Sequence, residues 1–133
     1  MAKLEWSESL KLGVESMDQD HKFLISLMNK LEALEGANAE KDQISQCFND
    51  LLEFTVKHFS KEEEFMESMQ FDGLNSHKLI HKELLRRLGD HHDEFNKTGE
   101  ISEGLMDFLV IWLKSHICGI DAKYAKVATK GAA

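Results

Sequence analysis

Apolar residues recur along this chain at three- and four-residue spacings in four long stretches, the period of an amphipathic helix. The first stretch opens at Asp18, a residue type suited to an N-cap, carries Phe23, Leu24, Leu27, Met28, Leu31 and Leu34, and closes at Gly36. The second runs from about Lys41 to Met69. It sets Ile44, Cys47, Phe48, Leu51, Leu52, Phe54, Thr55, Phe59, Phe65, Met66 and Met69 along one inward stripe that also contains His58 and Glu62. Asp72-Gly73 breaks the chain. A third helix is expected from about Leu74 to Phe95, with Leu74, His77, Ile80, His81, Leu84, Leu85 and Leu88 inward and Gly89 weakening its later turns. After a turn at Lys97-Thr98-Gly99, a fourth helix from Ile101 to about His116 is rich in Leu105, Phe108, Leu109, Ile111, Trp112 and Leu113. Gly119 interrupts it, and Ile120 to Lys130 continues helically.

Residues 1–16 carry Trp6, Leu10, Leu12 and Val14 without a sustained period and read as an ordered N-terminal arm lying on the core. Four amphipathic segments with short connectors predict an all-α fold, an antiparallel up-down-up-down four-helix bundle with that arm. At 133 residues the chain has the size of one domain, residues 1–133, divided into the arm (1–16) and the bundle (17–130). Composition supports the picture: about 5% proline is ordinary, and this chain has none, so its helices can run uninterrupted.

Charge narrows the function. With 16 Lys+Arg against 24 Asp+Glu the net charge is −8, and no basic stripe is present, so a nucleic-acid partner is not expected. The acidic run Glu62-Glu63-Glu64 reads as a mostly solvated helix face in which only Glu62 asks for more. The longest apolar run, Phe108 to Leu113, falls far short of the roughly 20 residues of a membrane helix. Residues 1–11 are charged and lack the apolar stretch of a signal peptide, so Cys47 and Cys118 are expected as reduced thiols in a soluble cytoplasmic protein. Cys47, on a core stripe, reads as packing, and Cys118 as a packed or partly exposed thiol.

The chemistry concentrates in seven residues: His21, His58, Glu62, His77, His81, His116 and Asp121. His58 and Glu62 stand at i and i+4, as do His77 and His81, so each pair projects from one helix face and can converge on one point. His116 and Asp121 lie five apart, about 140° around a regular helix, too divergent to serve together. A π-like widening would unite them, and Gly119 between them is positioned to permit it. A lone histidine on an apolar face is ordinarily a hydrogen-bonded core residue. Five of them, with only each other and two acids as partners, would be costly to bury without an ion. Imidazole suits iron, copper and zinc, while carboxylates readily bridge two ions, so the mixture fits a pair of irons better than zinc alone. If Glu62 and Asp121 bridge and an oxo or hydroxo group is shared, five nitrogens divided three and two leave one iron with an open position. His91 and His92, adjacent in a polar run, read as surface residues.

These residues resemble the hemerythrins, in particular the single-domain bacterial oxygen-binding kind called bacteriohemerythrins. The resemblance covers nearly the whole chain and rests on D-x-D-H (Asp18 to His21), H-F-S-K-E (His58 to Glu62), H-K-L-I-H (His77 to His81) and H-I-C-G-I-D (His116 to Asp121). It implies a non-haem di-iron centre with His77, His81 and His116 on one iron, His21 and His58 on the other, and Glu62 and Asp121 bridging. It implies dioxygen uptake at the five-coordinate iron, with Leu24, Phe59, Trp112, Leu113 and Ile117 lining the oxygen pocket and Tyr124, one turn beyond Asp121, near the site. The same apolar positions serve equally as ordinary core. Nothing but the arm and a short tail flanks the bundle, so no fused signalling domain is expected within this chain.

The leading expectation is a reversible oxygen carrier or store, a monomer and not an enzyme, with at most weak oxidase or peroxidase side activity and an oxygen-consuming enzyme as a candidate partner. An oxygen or redox sensor is one alternative. A ferritin-like di-iron oxidase or peroxide-handling enzyme is another, disfavoured because such sites draw on E-x-x-H motifs and this chain has none.

Overall fold

The computed structural model describes residues 5–102 and 104–131. After a short 3-10 turn at Glu8–Leu10 come α1 (Glu15–Gly36), α2 (Lys41–Ser68), α3 (Leu74–Thr98) and α4 (Leu105–Ser115); a π-helical turn at His116–Asp121 then leads without a break into α5 (Ala122–Gly131). The described residues contain no strand and no helix long and apolar enough to cross a membrane. α4, the π turn and α5 together form the fourth rod of a four-helix bundle.

Helix boundaries correct the sequence reading at several points. α1 starts at Glu15, so Asp18 is not its N-cap. It lies inside the first turns, nearly buried, and its carboxylate accepts the backbone N–H groups of Leu12 (2.8 Å) and Gly13 (3.2 Å). An acceptor placed there caps the arm instead of the helix. Gly36 is the last helical residue of α1 and does not reverse the chain. That falls to Asn38 (φ 53), with Ala39 N–H bonding back to Leu34 O at 3.0 Å. α2 closes the same way at Gln70 (φ 54), ahead of Asp72-Gly73, with Phe71 N–H on Met66 O at 3.0 Å. Both are left-handed caps that satisfy orphan carbonyls. α3 runs through Gly89 to Thr98 before Gly99 (φ 75) ends it, and α4 begins at Leu105, not Ile101, because Gly104 (φ 88) turns the chain there.

Packing follows the periodic stripes. Leu24, Leu31, Phe48, Leu51, Leu88, Leu105, Leu109 and Leu113 build the main core, and Leu10 of the arm seals it. Phe23 is a misreading of the stripe: it is half exposed and meets Phe54 edge-on at 4.6 Å between ring centroids. A smaller apolar cluster of Met17, Met66, Tyr124 and Ala125 closes the other end. On every rod the candidate ligands stand between the two clusters: His21 between Met17 and Leu24, Glu62 and His58 between Met66 and Leu51, His77 and His81 between Leu74 and Leu88, Asp121 and His116 between Tyr124 and Leu113. The polar layer is therefore a slice across the bundle, sealed by apolar side chains above and below.

Candidate metal centre

All seven candidate ligands are buried in that slice, and both carboxylates are fully so. Their donor atoms gather into two overlapping groups, Glu62, His77, His81, His116 and Asp121 in one and His21, His58, Glu62 and Asp121 in the other, with the atoms of each group within 4.8 Å of one another. The carboxylates belong to both groups, and each does so by dividing its oxygens. Glu62 turns Oε1 to His81 Nε2 (3.2 Å) and Oε2 to His58 Nε2 (3.3 Å) and His21 Nε2 (3.5 Å). Asp121 turns Oδ1 to His116 Nε2 (2.9 Å) and His77 Nε2 (3.0 Å), and Oδ2 to His21 Nε2 (3.2 Å). Three imidazoles face one pair of oxygens and two face the other.

Two kinds of local geometry deliver these groups. α2 and α3 present their pairs from regular helix one turn apart. The fourth rod widens at His116–Asp121, where i→i+5 closure brings both side chains onto one face. The irregularity falls where the spacing demanded it, and nothing in it requires glycine at position 119. Its φ is not in the left-handed region, and a Cβ added there would meet nothing within 4 Å.

Outer contacts orient the rings. His58 Nδ1 lies 2.9 Å from Asp20 Oδ2, and His81 Nδ1 lies 2.9 Å from Glu63 Oε2. A ring that donates Nδ1–H to a carboxylate keeps its lone pair on Nε2, the atom pointing inward. Glu63 is thus no solvated bystander, which corrects the reading of the acidic run. Sequence reasoning assigned no role to Asp20 or Glu63. The signal was adjacency to His21 and Glu62: one residue before or after, about 100° around the helix, a side chain faces the neighbouring rod instead of the centre. Tyr124 is fully buried and donates its hydroxyl to Glu62 Oε2 at 2.5 Å. Phe59 stacks parallel on His81 at 3.8 Å between ring centroids, and Trp112 meets Phe59 edge-on. Leu24, Leu113 and Ile117 are buried as well.

The remaining candidates lie elsewhere. His91 and His92 are half-buried, not free surface groups: His91 Nδ1 is 2.7 Å from Ser102 Oγ with its ring on Phe108, and His92 Nε2 is 2.6 Å from Asn49 Oδ1. Cys47 is buried in the core. Cys118 is exposed on the π turn, with its thiol toward Ser9 O of the arm.

The charges are unbalanced as protein alone. Burial disfavours the His58 cation, yet Asp20 and Glu62 outweigh it and raise its pKa to about 9; His21 moves the same way, against burial, through Asp121 and Glu62. Burial also disfavours the Glu62 and Asp121 anions, but the surrounding imidazoles hold both below the usual carboxylate range. Burial and then the Glu62 and Asp121 charges drive Tyr124 far up, so its phenol stays protonated. The site is therefore built for positive charge at its centre. Its polar atoms fit a cation better than one another: among the described residues His58 Nε2, His77 Nε2, Glu62 Oε1 and both Asp121 oxygens have no hydrogen-bond partner despite their proximity. His81 Nε2 and His116 Nε2 face each other at 3.2 Å, where a proton or a metal ion must lie between two lone pairs.

Comparison with known proteins agrees with this chemistry. The family model described as "Hemerythrin HHE cation binding domain" matches residues 12–128. A bacteriohemerythrin of Stenotrophomonas maltophilia is 30% identical over 94% of this chain and 81% of its own length, and one of Pseudomonas aeruginosa is 31% identical over 93% and 80%. A myohemerythrin of Riftia pachyptila is 29% identical over 90% of this chain and 88% of its own. The crystal structure of a wild-type hemerythrin superposes with a TM-score of 0.87 at 25% identity, covering 95% of this chain and 98% of that one.

Proposed function

The chain belongs to the hemerythrin family, and from that premise we propose that it binds dioxygen reversibly at a pair of non-haem iron ions, storing or delivering the gas without consuming it. Family membership and the histidine and carboxylate cluster fit a di-iron oxygen-binding protein. In this reading His77, His81 and His116 hold one iron and His21 and His58 the other, while Glu62, Asp121 and an oxo or hydroxo group span the two. The supporting observation is the division of oxygens: each buried carboxylate offers one atom to the three-histidine group and the other to the two-histidine group. A single ion would leave one Asp121 oxygen without a hydrogen-bond or metal partner.

Iron in such a pair supplies the electrons that dioxygen takes up reversibly. The protein's own part is positional. The Asp20 and Glu63 carboxylates fix two imidazoles with Nε2 inward, and the Tyr124 hydroxyl holds Glu62 in its spanning orientation. Phe59, flat against His81, locks that ring, and with Leu24, Trp112, Leu113 and Ile117 forms an apolar wall that keeps water and protons away. An apolar wall of this kind suits binding over turnover, so oxidase or peroxidase activity is expected to be weak. A cytoplasmic monomer handing oxygen to a consuming enzyme completes the proposal.

The test is to load ferrous iron without oxygen, admit oxygen, and remove it again while following visible absorption. A band that appears and disappears through repeated cycles supports a carrier. Irreversible bleaching with release of hydrogen peroxide would turn the reading toward an oxidase or a sensor.

A further inference from the structure

Each half of the centre has one imidazole anchored by a carboxylate from a neighbouring helix, and these two carboxylates stand in different surroundings. On the three-histidine side, Glu63 of α2 bonds His81 of α3, and no lysine or arginine among the described residues pairs with Glu63. On the two-histidine side, Asp20 of α1 bonds His58 of α2 through Oδ2, and the Lys61 ammonium lies 3.3 Å from that same oxygen. The contact is built in by the helix period: Lys61 is three residues beyond His58, so both reach the same spot on α1.

We infer that Lys61 is a positioning residue that grades the two halves of the centre, by sharing the oxygen through which Asp20 holds His58. An oxygen already engaged by an ammonium accepts more weakly from Nδ1–H. His58 then carries less negative character and donates less to its metal than His81, whose Glu63 partner is not neutralised. The two-histidine half is weakened twice, by having one imidazole fewer and by Lys61. The effect is bounded because Lys61 is half exposed and Asp20 keeps some solvent access, so screening limits the interaction.

The inference rests on the seven-residue metal reading, and the experiment separates the two. The full chain with labelled histidines is loaded with zinc, which has no redox chemistry, and the Nδ1–H proton resonances of His58 and His81 are followed by NMR. In Lys61→Met the His58 resonance is expected to move downfield while that of His81 stays in place. Zinc affinity of the weaker site is expected to rise by up to about fivefold. Lys61→Arg should restore the original position, and melting temperature should not change, because the side chain is half in water. Equal movement of both resonances, or no movement of His58, overturns the role of Lys61. If zinc shifts no histidine at all, the metal centre itself is refuted and this inference with it.

Discussion

α2 and the fourth rod perform the same task by different geometry. Each sends one histidine and one carboxylate into the same slice of the bundle. α2 does so at i and i+4 from regular helix, His58 with Glu62; the fourth rod does so at i and i+5 through a π turn, with His116 Nε2 and Asp121 Oδ1 at 2.9 Å. The difference teaches that the site, not local propensity, sets the backbone here. A wide turn weakens regular packing of the helix, and it persists because Asp121 has buried partners on two other rods. The same turn carries Tyr124 round to Glu62, so the irregular rod also braces the carboxylate of the regular one.

If the two geometries deliver equivalent bridges, Glu62→Ala and Asp121→Ala should be equally damaging, each lowering metal content in both halves of the site. Metal analysis of the two purified variants after identical loading checks this. Loss from one variant alone would break the equivalence and make the other carboxylate a terminal group.

Insertion of one alanine after Gly119 should come next in size. The π turn already absorbs one residue beyond regular helical spacing, so one more would rotate everything beyond it by about 100°, taking Tyr124 and Ala125 out of their cluster. Loss of a fully buried aromatic is worth about 3 kcal/mol or more, so calorimetry of the metal-free protein should show a large drop in melting temperature. Tyr124→Phe isolates the brace, with an expected cost of roughly 1.5 to 3 kcal/mol for a hydrogen bond to a charged group, read by denaturant unfolding. A change below a few tenths would mean that Glu62 needs no support from the π rod.

The metal-free and loaded forms should respond differently to pH. His58 has its folded pKa raised to about 9, so its stabilisation of the metal-free fold is complete below its ordinary value near 6.5 and is lost as pH rises through about 9. Glu62 and Asp121 are shifted down, so their share is present above the usual carboxylate range and disappears as pH falls through the lowered values. In the loaded protein the imidazoles are neutral ligands; alkaline destabilisation through His58 should vanish, and metal uptake near neutrality should release protons. Unfolding curves at several pH values for both forms test this. The smallest effect belongs to Gly119→Ala, expected to be neutral or stabilising by up to about 1 kcal/mol because its conformation is helical and the space is open.

That last case shows where sequence was informative and where it was not. The i,i+4 pairs and the impossibility of i,i+5 on a regular helix were legible because they follow from the helical period alone. Gly119 reads from composition as permitting the turn, whereas the structure shows no need for glycine there, and the buried partners that Asp121 meets lie on other rods. The helix ends were misplaced for a similar reason. Asn38 and Gln70 adopt left-handed caps that glycine was expected to supply, and Asp18 serves the arm, a contact no periodicity encodes. Asp20, Lys61 and Glu63 carry no legible role because each acts across a helix interface, one residue away from a candidate ligand in the chain and on a different face.

The central claim is a pair of ions spanned by Glu62 and Asp121, and the most direct measurement is Mössbauer and EPR spectroscopy of the protein loaded with isotope-enriched iron. Two irons per chain are expected, in distinct environments, magnetically coupled and therefore without an EPR signal when both are ferric. One iron per chain, or two that give the signal of isolated ferric ions, would contradict it.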